Sequence, residues 1–227
     1  MNFSTAEENY IKAIWRLQQT DSNVTTNELS EELHTKPASV TDMLKRLKEK
    51  KLLHYEPYYG VKLNAEGKKL ALSIIRRHRL WEFFLVDKLK FEWDAVHEIA
   101  EQLEHVSSHE LTERLDAFLG FPKADPHGDP IPDRNGKIEA SSNISLHQLK
   151  EQQAAIVTAV GDQSSNLLEM LRQKKIGIGT KLEIKQRFLF DGSVEIKIRN
   201  QPLTTLSDHL AKHICKTRLN ERKNAAP

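Results

Sequence analysis

The chain has 227 residues, of which 38% are hydrophobic and 29% charged, and its formal net charge is +2. This composition is typical of a globular protein with one large domain or two to three small ones. The single cysteine, Cys215, excludes an intramolecular disulfide, and no apolar run approaches the length of a membrane span. Because the acidic start also lacks a signal-peptide pattern, we expect a cytoplasmic protein.

The small net charge hides two oppositely charged blocks. Residues 36–79 contain twelve Lys and Arg against four Asp and Glu, whereas residues 82–116 contain three basic and ten acidic residues. A basic block suits a polyanion and an acidic block suits cations, although basic stretches are often only solvated helix faces. Charge alone therefore leaves both interpretations open.

The first part of the chain combines three helices with a hairpin. STAEENYIKAIWRLQQT begins with Ser4 or Thr5 as a helix cap, TTNELSEELH with Thr25 or Thr26, and KPASVTDMLKRLKEKKLL has Pro37 near its first turn. LHYEPYYGVKLN then predicts a strand, a turn and a second strand. This order predicts a winged helix-turn-helix, with a three-helix protein-interaction domain as the alternative.

In a winged helix-turn-helix, the third helix enters the major groove of DNA with its N-terminal half. Hydroxyl groups there suit bases or phosphates, small apolar groups suit thymine methyls, and basic side chains suit phosphates. Tyr58, Tyr59 and Lys62 would form the wing. The predicted DNA-contacting residues are Lys36, Pro37, Ala38, Ser39, Thr41, Lys45, Arg46, Tyr59 and Lys62. Because the first turn lacks Arg and Asn, we expect modest sequence readout that depends partly on DNA shape.

A long helix is predicted from about Ala65, a second from about Glu92, and a third over SHELTERLDAFLG. The long helix has apolar side chains on more than one face, so part of it is expected to contact another subunit. It also carries His78 and Glu82 one turn apart.

The second of these helices, over VHEIAEQLEHV, places four ligand-type side chains beside an apolar stripe. At about 100° per residue, these four ligand-type side chains lie at the edge of the apolar face, which is formed by Val96, Ile99, Leu103 and Val106. Unpaired carboxylates there would be costly to desolvate, and a cation is the obvious partner. The four residues are His97, Glu101, Glu104 and His105. Each alone is more often structural, but together with the His-Glu pair of the long helix they indicate a metal site.

RRHRLWEFFL, VHEIAEQLEHV and the loop DPHGDPIP resemble the DtxR/MntR family of metal-dependent repressors, named after the diphtheria toxin repressor and the manganese transport regulator. The resemblance covers essentially the whole chain. It implies a mainly α fold with a small β part: a winged helix-turn-helix, a helical dimerisation domain and an SH3-like barrel. It also implies a homodimer that binds a palindromic operator and represses metal-uptake genes.

The resemblance implies two neighbouring metal sites. One would use His78, Glu82 and His97, and the other Glu101, Glu104, His105 and, from the first helix, Asn9. Iron-responsive members have Cys at the position of Glu101 and Met at that of Asn9, whereas manganese-responsive members have carboxylates at both. Lys12 stands where manganese-responsive members can have a further Glu. A hard set of oxygen and imidazole ligands favours Mn(II), then Fe(II), although affinity order alone favours Zn(II) or Cu(II) over both, and Zn(II) or other divalent ions can bind in vitro.

The mechanism that the resemblance implies links metal binding to quaternary geometry. Without metal, the clustered carboxylates repel, and the first helix packs loosely on the dimerisation helices. An ion shared by Asn9 and the residues of the second site would narrow the separation of the dimer's recognition helices toward a half-site spacing.

The last third resembles the FeoA-type, SH3-like domain of longer family members. KLEIKQRFLF, Asp191-Gly192 and SVEIKIRN predict a hairpin, and LSDHLAKHI predicts a short helix. In such members this domain can donate ligands to the first metal site, for which Asp162 and Gln163 are the nearest candidates, with a solvated turn as the alternative. The predicted division is 1–64 for DNA binding, 65–120 for metal binding and dimerisation, 121–145 for a linker and 146–220 for the FeoA-type domain.

Two other classes of protein fit parts of this sequence. One is a winged-helix regulator that senses a small molecule, with a purely structural Glu and His cluster. The other is a metallohydrolase, because HEIAE imitates the zincin motif; however, Glu101 replaces the second His and Glu98 points away from the cluster. The chain also has no nucleophile elbow or phosphate-binding glycine loop, so it is predicted not to be an enzyme.

Overall fold

The computed structural model describes residues 3–19, 23–57, 59–106, 108–139 and 144–218. Tyr58 of the predicted wing lies outside these residues, as do 140–143 of the predicted linker and 219–220 of the predicted last domain. The chain divides into two compact units. The first comprises Met1–Trp81, Ala100–Pro122 and Ile131–Ile138, and the second Glu82–Ile99, Lys123–Pro130 and Glu139–Pro227. The four-part division given above stays a prediction.

Three short helices open the first unit: α1 (Thr5–Leu17), α2 (Thr26–Glu32) and α3 (Pro37–Glu49). A capping box starts α1, because the Ser4 side chain accepts from the Glu7 amide while the Glu7 carboxylate accepts from the Ser4 amide. Thr25 and Glu28 form the same box at α2. Pro37 is the first residue of α3, where its missing N–H removes no helical hydrogen bond.

A hairpin follows and completes the winged helix-turn-helix. Strands β1 (Leu53–Glu56) and β2 (Gly60–Leu63) pair antiparallel, with Leu53 opposite Leu63 and Glu56 opposite Gly60. One apolar core joins these elements and includes Ile11, Ile14, Leu29, Val40, Leu44, Leu47, Val61 and Leu63. The predicted order of three helices and a hairpin is confirmed.

The next helices are α4 (Ala65–Asp87), α5 (His97–Val106) and α6 (His109–Phe118). The predicted start of α4 is confirmed, but the predicted start of α5 at Glu92 is wrong, because the Ala95 amide closes a turn on the Glu92 carbonyl at 3.0 Å. The expected apolar stripe beside the ligand-type residues is only partly buried: Val96, just before α5, is completely buried, but the opposite end of the stripe is not. The buried residues of α5 are Ala100 and Glu104, whereas Val106 is 76% exposed. None of the helices in the described residues is long and apolar enough to cross a membrane.

The second unit contains a six-stranded antiparallel sheet in the order β3-β8-β4-β5-β6-β7. Its strands are β3 (Ile144–Ser145), β4 (Ala154–Val160), β5 (Lys181–Arg187), β6 (Val194–Ile198), β7 (Leu203–Leu206) and β8 (Ile214–Arg218). Helices α7 (Ser165–Gln173) and α8 (Asp208–His213) complete it. The predicted hairpin joins β5 to β6, with Gly192 at a φ of +73° in the turn. The predicted fold class, mainly helical with a small C-terminal β domain, is confirmed.

Candidate metal centres and DNA-contacting surface

Helices α1, α4 and α5 bring a set of ionisable side chains together within the first unit. This first-unit cluster consists of Glu8, Asn9, Lys12, Arg77, His78, Glu101, Glu104 and His105. His78 Nδ1 lies 2.6 Å from Glu104 Oε2, and one ligand atom from each of His78, Glu101 and Glu104 lies within 4.8 Å of the others. The fold therefore gathers one imidazole and two carboxylates with the spacing that a single metal ion requires.

A carboxylate orients His105 in this cluster. Nδ1 of His105 lies 2.6 Å from Glu8 Oε2 and must donate, because an ionised carboxylate only accepts. Arg77 Nη2 donates to the other oxygen of Glu8 at 2.8 Å, which fixes the carboxylate. Nε2 of His105 is buried 3.5 Å from Glu104 Oε1 and has no hydrogen-bond partner among the described residues. Metal-binding histidines usually have this arrangement, with one nitrogen held by a carboxylate and the other left to the metal.

Lys12 occupies a central position in the same cluster. Its Nζ lies 2.6 Å from Glu101 Oε2 and 2.7 Å from Glu104 Oε1. Its side chain is 19% exposed, whereas that of Glu104 is completely buried. Burial by itself raises the pKa of Glu104, but His78 and Lys12 together outweigh burial and hold that pKa below its usual value.

Asn9 lies beside Glu8 on α1, and its amide oxygen is buried without a hydrogen-bond partner among the described residues. A buried carbonyl oxygen without a partner is rare and costs free energy. A bound cation would satisfy this oxygen, so Asn9 fits the role of a neutral ligand.

The second unit contains a separate group of metal-type ligands. This second-unit cluster consists of Glu82, His97, Asp125 and His127. Glu82, Asp125 and His127 are buried and offer ligand atoms that lie within 4.8 Å of one another. His97 is 43% exposed, and its Nδ1 lies 3.3 Å from Glu82 Oε1. Of the sequence-predicted set of His78, Glu82 and His97, the last two therefore belong to the second unit and His78 to the first.

His127 is oriented by the backbone rather than by a carboxylate. Its Nε2 donates to the Trp93 carbonyl at 2.8 Å, and its Nδ1 lies 3.7 Å from Glu82 Oε2. Burial by itself lowers the pKa of His127, but the carboxylates of Glu82 and Asp125 and the Trp93 carbonyl outweigh burial and raise it. These groups thus favour the protonated, positively charged form of His127.

Sequence reasoning did not assign Asp125 and His127 as ligands, although it singled out the loop that carries them. Asp125 Oδ1 accepts from the amides of His127 and Asp129 at 2.8 and 3.0 Å, which shapes the loop. Gly128, which follows His127, has a φ of +88° and lies against the backbone of Thr158. The pattern Asp-x-His followed by Gly in DPHGDP is the signal that would have found them.

The two predicted ligand candidates in the FeoA-type region have other partners. Gln163 Nε2 donates to Asp129 Oδ2 at 3.0 Å. Asp162 accepts from the amide and the hydroxyl of Ser164 in a local turn. Among the described residues, Asp162 belongs to no group of converging His, Cys, Asp and Glu ligands.

The predicted DNA-contacting side chains lie on the outer side of α3 and on the wing. Most of them are exposed, including Lys36, Pro37, Ala38, Ser39, Lys45, Arg46, Tyr59 and Lys62. Thr41 is half-buried, and its hydroxyl donates to the Pro37 carbonyl at 3.0 Å. A base contact by Thr41 would therefore have to replace or share this hydrogen bond.

Comparisons with known families agree with this architecture. The family profile of the iron dependent repressor N-terminal DNA-binding domain matches residues 2–61. The profile of the iron dependent repressor metal-binding and dimerisation domain matches residues 64–133, and that of the FeoA domain matches 144–216.

Individual relatives agree as well. The diphtheria toxin repressor of Corynebacterium jeikeium (strain K411) is 24% identical over 184 residues, which cover 80% of this chain and 77% of that protein. An uncharacterized HTH-type transcriptional regulator of Methanocaldococcus jannaschii is 34% identical over 117 residues, or 51% of this chain and 94% of that protein.

A solved structure of a manganese-dependent transcriptional repressor in complex with manganese is 31% identical, with a TM-score of 0.84, and covers 94% of this chain and 100% of that one. Since these relatives are regulators, the prediction that the chain is not an enzyme is confirmed. The winged helix, the helical metal-binding region and the FeoA domain together show that the chain belongs to the iron-dependent repressor family of metal-dependent, DNA-binding transcriptional repressors, which includes the diphtheria toxin repressor.

Proposed function

We propose that this protein is a cytoplasmic repressor of metal-uptake genes that binds a palindromic operator as a homodimer when it is loaded with Mn(II), with Fe(II) as the second candidate. The observation that carries the proposal is the first-unit cluster, in which α1 of the winged helix meets α5. The proposed ligands in this cluster are Asn9, His78, Glu101, Glu104 and His105.

The donor types support Mn(II) as the first choice. The proposed ligands of the first-unit cluster are oxygen atoms of carboxylates and an amide, together with imidazole nitrogens, and they include no sulfur. Such hard ligands suit Mn(II) and Fe(II), whereas Zn(II) and other divalent ions bind comparable sets in vitro because affinity alone does not discriminate against them.

The second-unit cluster supports a second ion. Glu82, His97 and the loop residues Asp125 and His127 are the proposed ligands, since His127 has its Nε2 engaged and its Nδ1 near two carboxylates. Asp162 and Gln163 stay weaker candidates because both already have hydrogen-bond partners, Ser164 and Asp129.

Metal binding would act on DNA binding through the position of α1. Asn9 and Glu8 lie on α1, and Glu101, Glu104 and His105 lie on α5, so a divalent charge held by both helices favours one placement of α1. The recognition helix α3 shares a core with α1 through Ile11, Val40 and Leu44, and it would follow that placement. The population shift is limited by the difference in metal affinity between the two placements.

Exposed apolar side chains support a homodimer. Val106, Leu111, Phe118 and Phe121, on α5, α6 and the turn after it, are large apolar residues between 42% and 76% exposed. Large exposed apolar side chains, where they form a patch, mark contact surfaces more often than free surface. They lie in the part of the chain that matches the dimerisation domain of the family.

The test is DNA binding to a genomic fragment pool in chelator, Mn(II), anaerobic Fe(II) or Zn(II). We expect binding only with metal, and the ion effective at the lowest free concentration is the physiological candidate. Glu104→Ala and His105→Ala should bind DNA more weakly at metal concentrations that saturate the wild type. Glu110→Ala, which alters an exposed carboxylate of α6, should not. Equal DNA binding in chelator would contradict the proposal and favour a regulator with a structural cluster.

A further inference from the structure

We propose that the Lys12 ammonium is the resident cation of the first-unit cluster, and that a divalent metal ion must displace it to bind Glu101 and Glu104. The inference rests on the proposed function only in taking this cluster as a metal site. It assigns to Lys12 the role of setting the metal concentration at which the protein responds.

Geometry places Lys12 in direct competition with a metal ion. The ammonium contacts one oxygen of Glu101 at 2.6 Å and one of Glu104 at 2.7 Å. These two carboxylates also belong to the group of His78, Glu101 and Glu104 whose ligand atoms converge. A divalent ion bound to the same oxygens would lie within a few ångströms of the ammonium, where like charges repel strongly because water is largely excluded.

The charge balance of the cluster points the same way. Its carboxylates are Glu8, Glu101 and Glu104, and its fixed cations are Lys12 and Arg77, so with neutral histidines the net charge is −1. When the Lys12 ammonium leaves the cluster, the net charge of the cluster becomes −2, which a divalent ion neutralises. Arg77 does not compete in this way, because it pairs with Glu8 Oε1 and not with Glu101 or Glu104.

The Lys12 side chain can also move out of the cluster. It is 19% exposed, so Lys12 is not enclosed on all sides by the cluster. A lysine carries its charge on a flexible four-carbon stem and is strongly hydrated in water, which makes it a better exchangeable cation than arginine. In metal-free protein Lys12 therefore ties α1 to α5, and in metal-loaded protein the ion takes over this tie.

The test measures Mn(II) affinity in the absence of DNA for wild type, Lys12→Met and Arg16→Met. Methionine keeps the apolar length of lysine without its charge. Arg16 lies on the same helix but pairs with Glu32, so the control removes one positive charge of α1 outside the cluster. All three proteins carry His127→Ala, which weakens the second-unit cluster, and free Mn(II) is measured by its paramagnetic resonance signal. Circular dichroism verifies that each variant is folded.

We expect Lys12→Met to lower the Mn(II) dissociation constant at least about tenfold, and Arg16→Met to leave it within about twofold, since exposed charges are largely screened. In chelator, Lys12→Met should also lower the thermal midpoint, and Mn(II) should raise that midpoint more than in wild type. A dissociation constant for Lys12→Met equal to or higher than that of the wild type would overturn the proposal. Failure of the proposed function would show differently: in the experiment with the genomic fragment pool, DNA binding would be equal with and without metal, although wild type and Lys12→Met differ in Mn(II) affinity.

Discussion

Glu104 is the residue whose replacement tests the charge network of the first-unit cluster most directly. Glu104→Gln preserves the volume of a completely buried side chain but removes the charge that Lys12 contacts at 2.7 Å and His78 at 2.6 Å. Removing one partner of a buried ion pair typically costs about 3–5 kcal/mol. Because Lys12 keeps its contact with Glu101, we expect the lower end, about 3 kcal/mol of unfolding free energy in chelator.

The assay is urea unfolding followed by tryptophan fluorescence, with chelator present so that metal does not contribute. A loss of about 3 kcal/mol lowers the midpoint by about 1–3 M for m-values of about 1–3 kcal/mol/M. The control is Glu110→Gln, which removes a carboxylate paired with Arg114 on the exposed face of α6. Such a surface pair contributes only about 0–1 kcal/mol. If the two variants unfold at the same urea concentration, the buried network described above does not stabilise the metal-free protein.

Three further changes test other parts of the chain. Gly128→Ala should destabilise the second unit by more than about 3 kcal/mol, because the new Cβ would lie 2.0 Å from the Thr158 carbonyl oxygen at a φ of +88°; an unchanged thermal midpoint would refute this. Lys50 lowers the pKa of Glu7, so the Glu7 carboxylate contributes stability above its unfolded pKa that is lost as the pH falls through the lower folded pKa. Urea midpoints between pH 7 and 3 should therefore change less in Glu7→Gln than in wild type, and parallel curves would contradict it. Lys62→Ala should weaken binding to all DNA sequences alike and reduce the slope of log affinity against log salt by about 1, which gel shifts at several KCl concentrations can measure.

The elements that sequence predicted correctly depend on residues close together in the chain. The helix cap at Ser4, one of two predicted candidates, the proline at the start of α3 and the turn at Gly192 each involve a few consecutive residues. Their hydrogen bonds and backbone angles are set locally, so the pattern of residue types is sufficient to predict them.

The features that sequence missed depend on partners far away in the chain. Glu104 of α5 is completely buried although it is a carboxylate, because Lys12 and His78, 92 and 26 residues away, compensate its desolvation. Similarly, His127 becomes a ligand-type residue only because the fold brings its Nδ1 to 3.7 Å from Glu82. Hydrophobic periodicity contains no information on such pairings.

The second-unit cluster offers a substitution that separates metal binding from loop folding. Asp125→Asn keeps the oxygen that accepts from the His127 and Asp129 amides, so the loop should retain its shape. It removes one of the two negative charges that raise the pKa of His127, and it replaces a carboxylate ligand by an amide.

Loss of the Asp125 charge should weaken Mn(II) binding at this cluster at least about tenfold, since even outer-shell partners of metal ligands contribute about 10–100-fold. The thermal midpoint in chelator should stay within a few degrees of the wild type. The measurement is Mn(II) titration by calorimetry in a Glu104→Gln background, which weakens the first-unit cluster and leaves the second to dominate the heat. Asp94→Asn is the matched control, because it removes a carboxylate of the same unit that pairs with Arg172 instead of with the cluster. If Asp125→Asn and Asp94→Asn bind Mn(II) equally well, the loop carboxylate is not a ligand and only its role as a turn former stands.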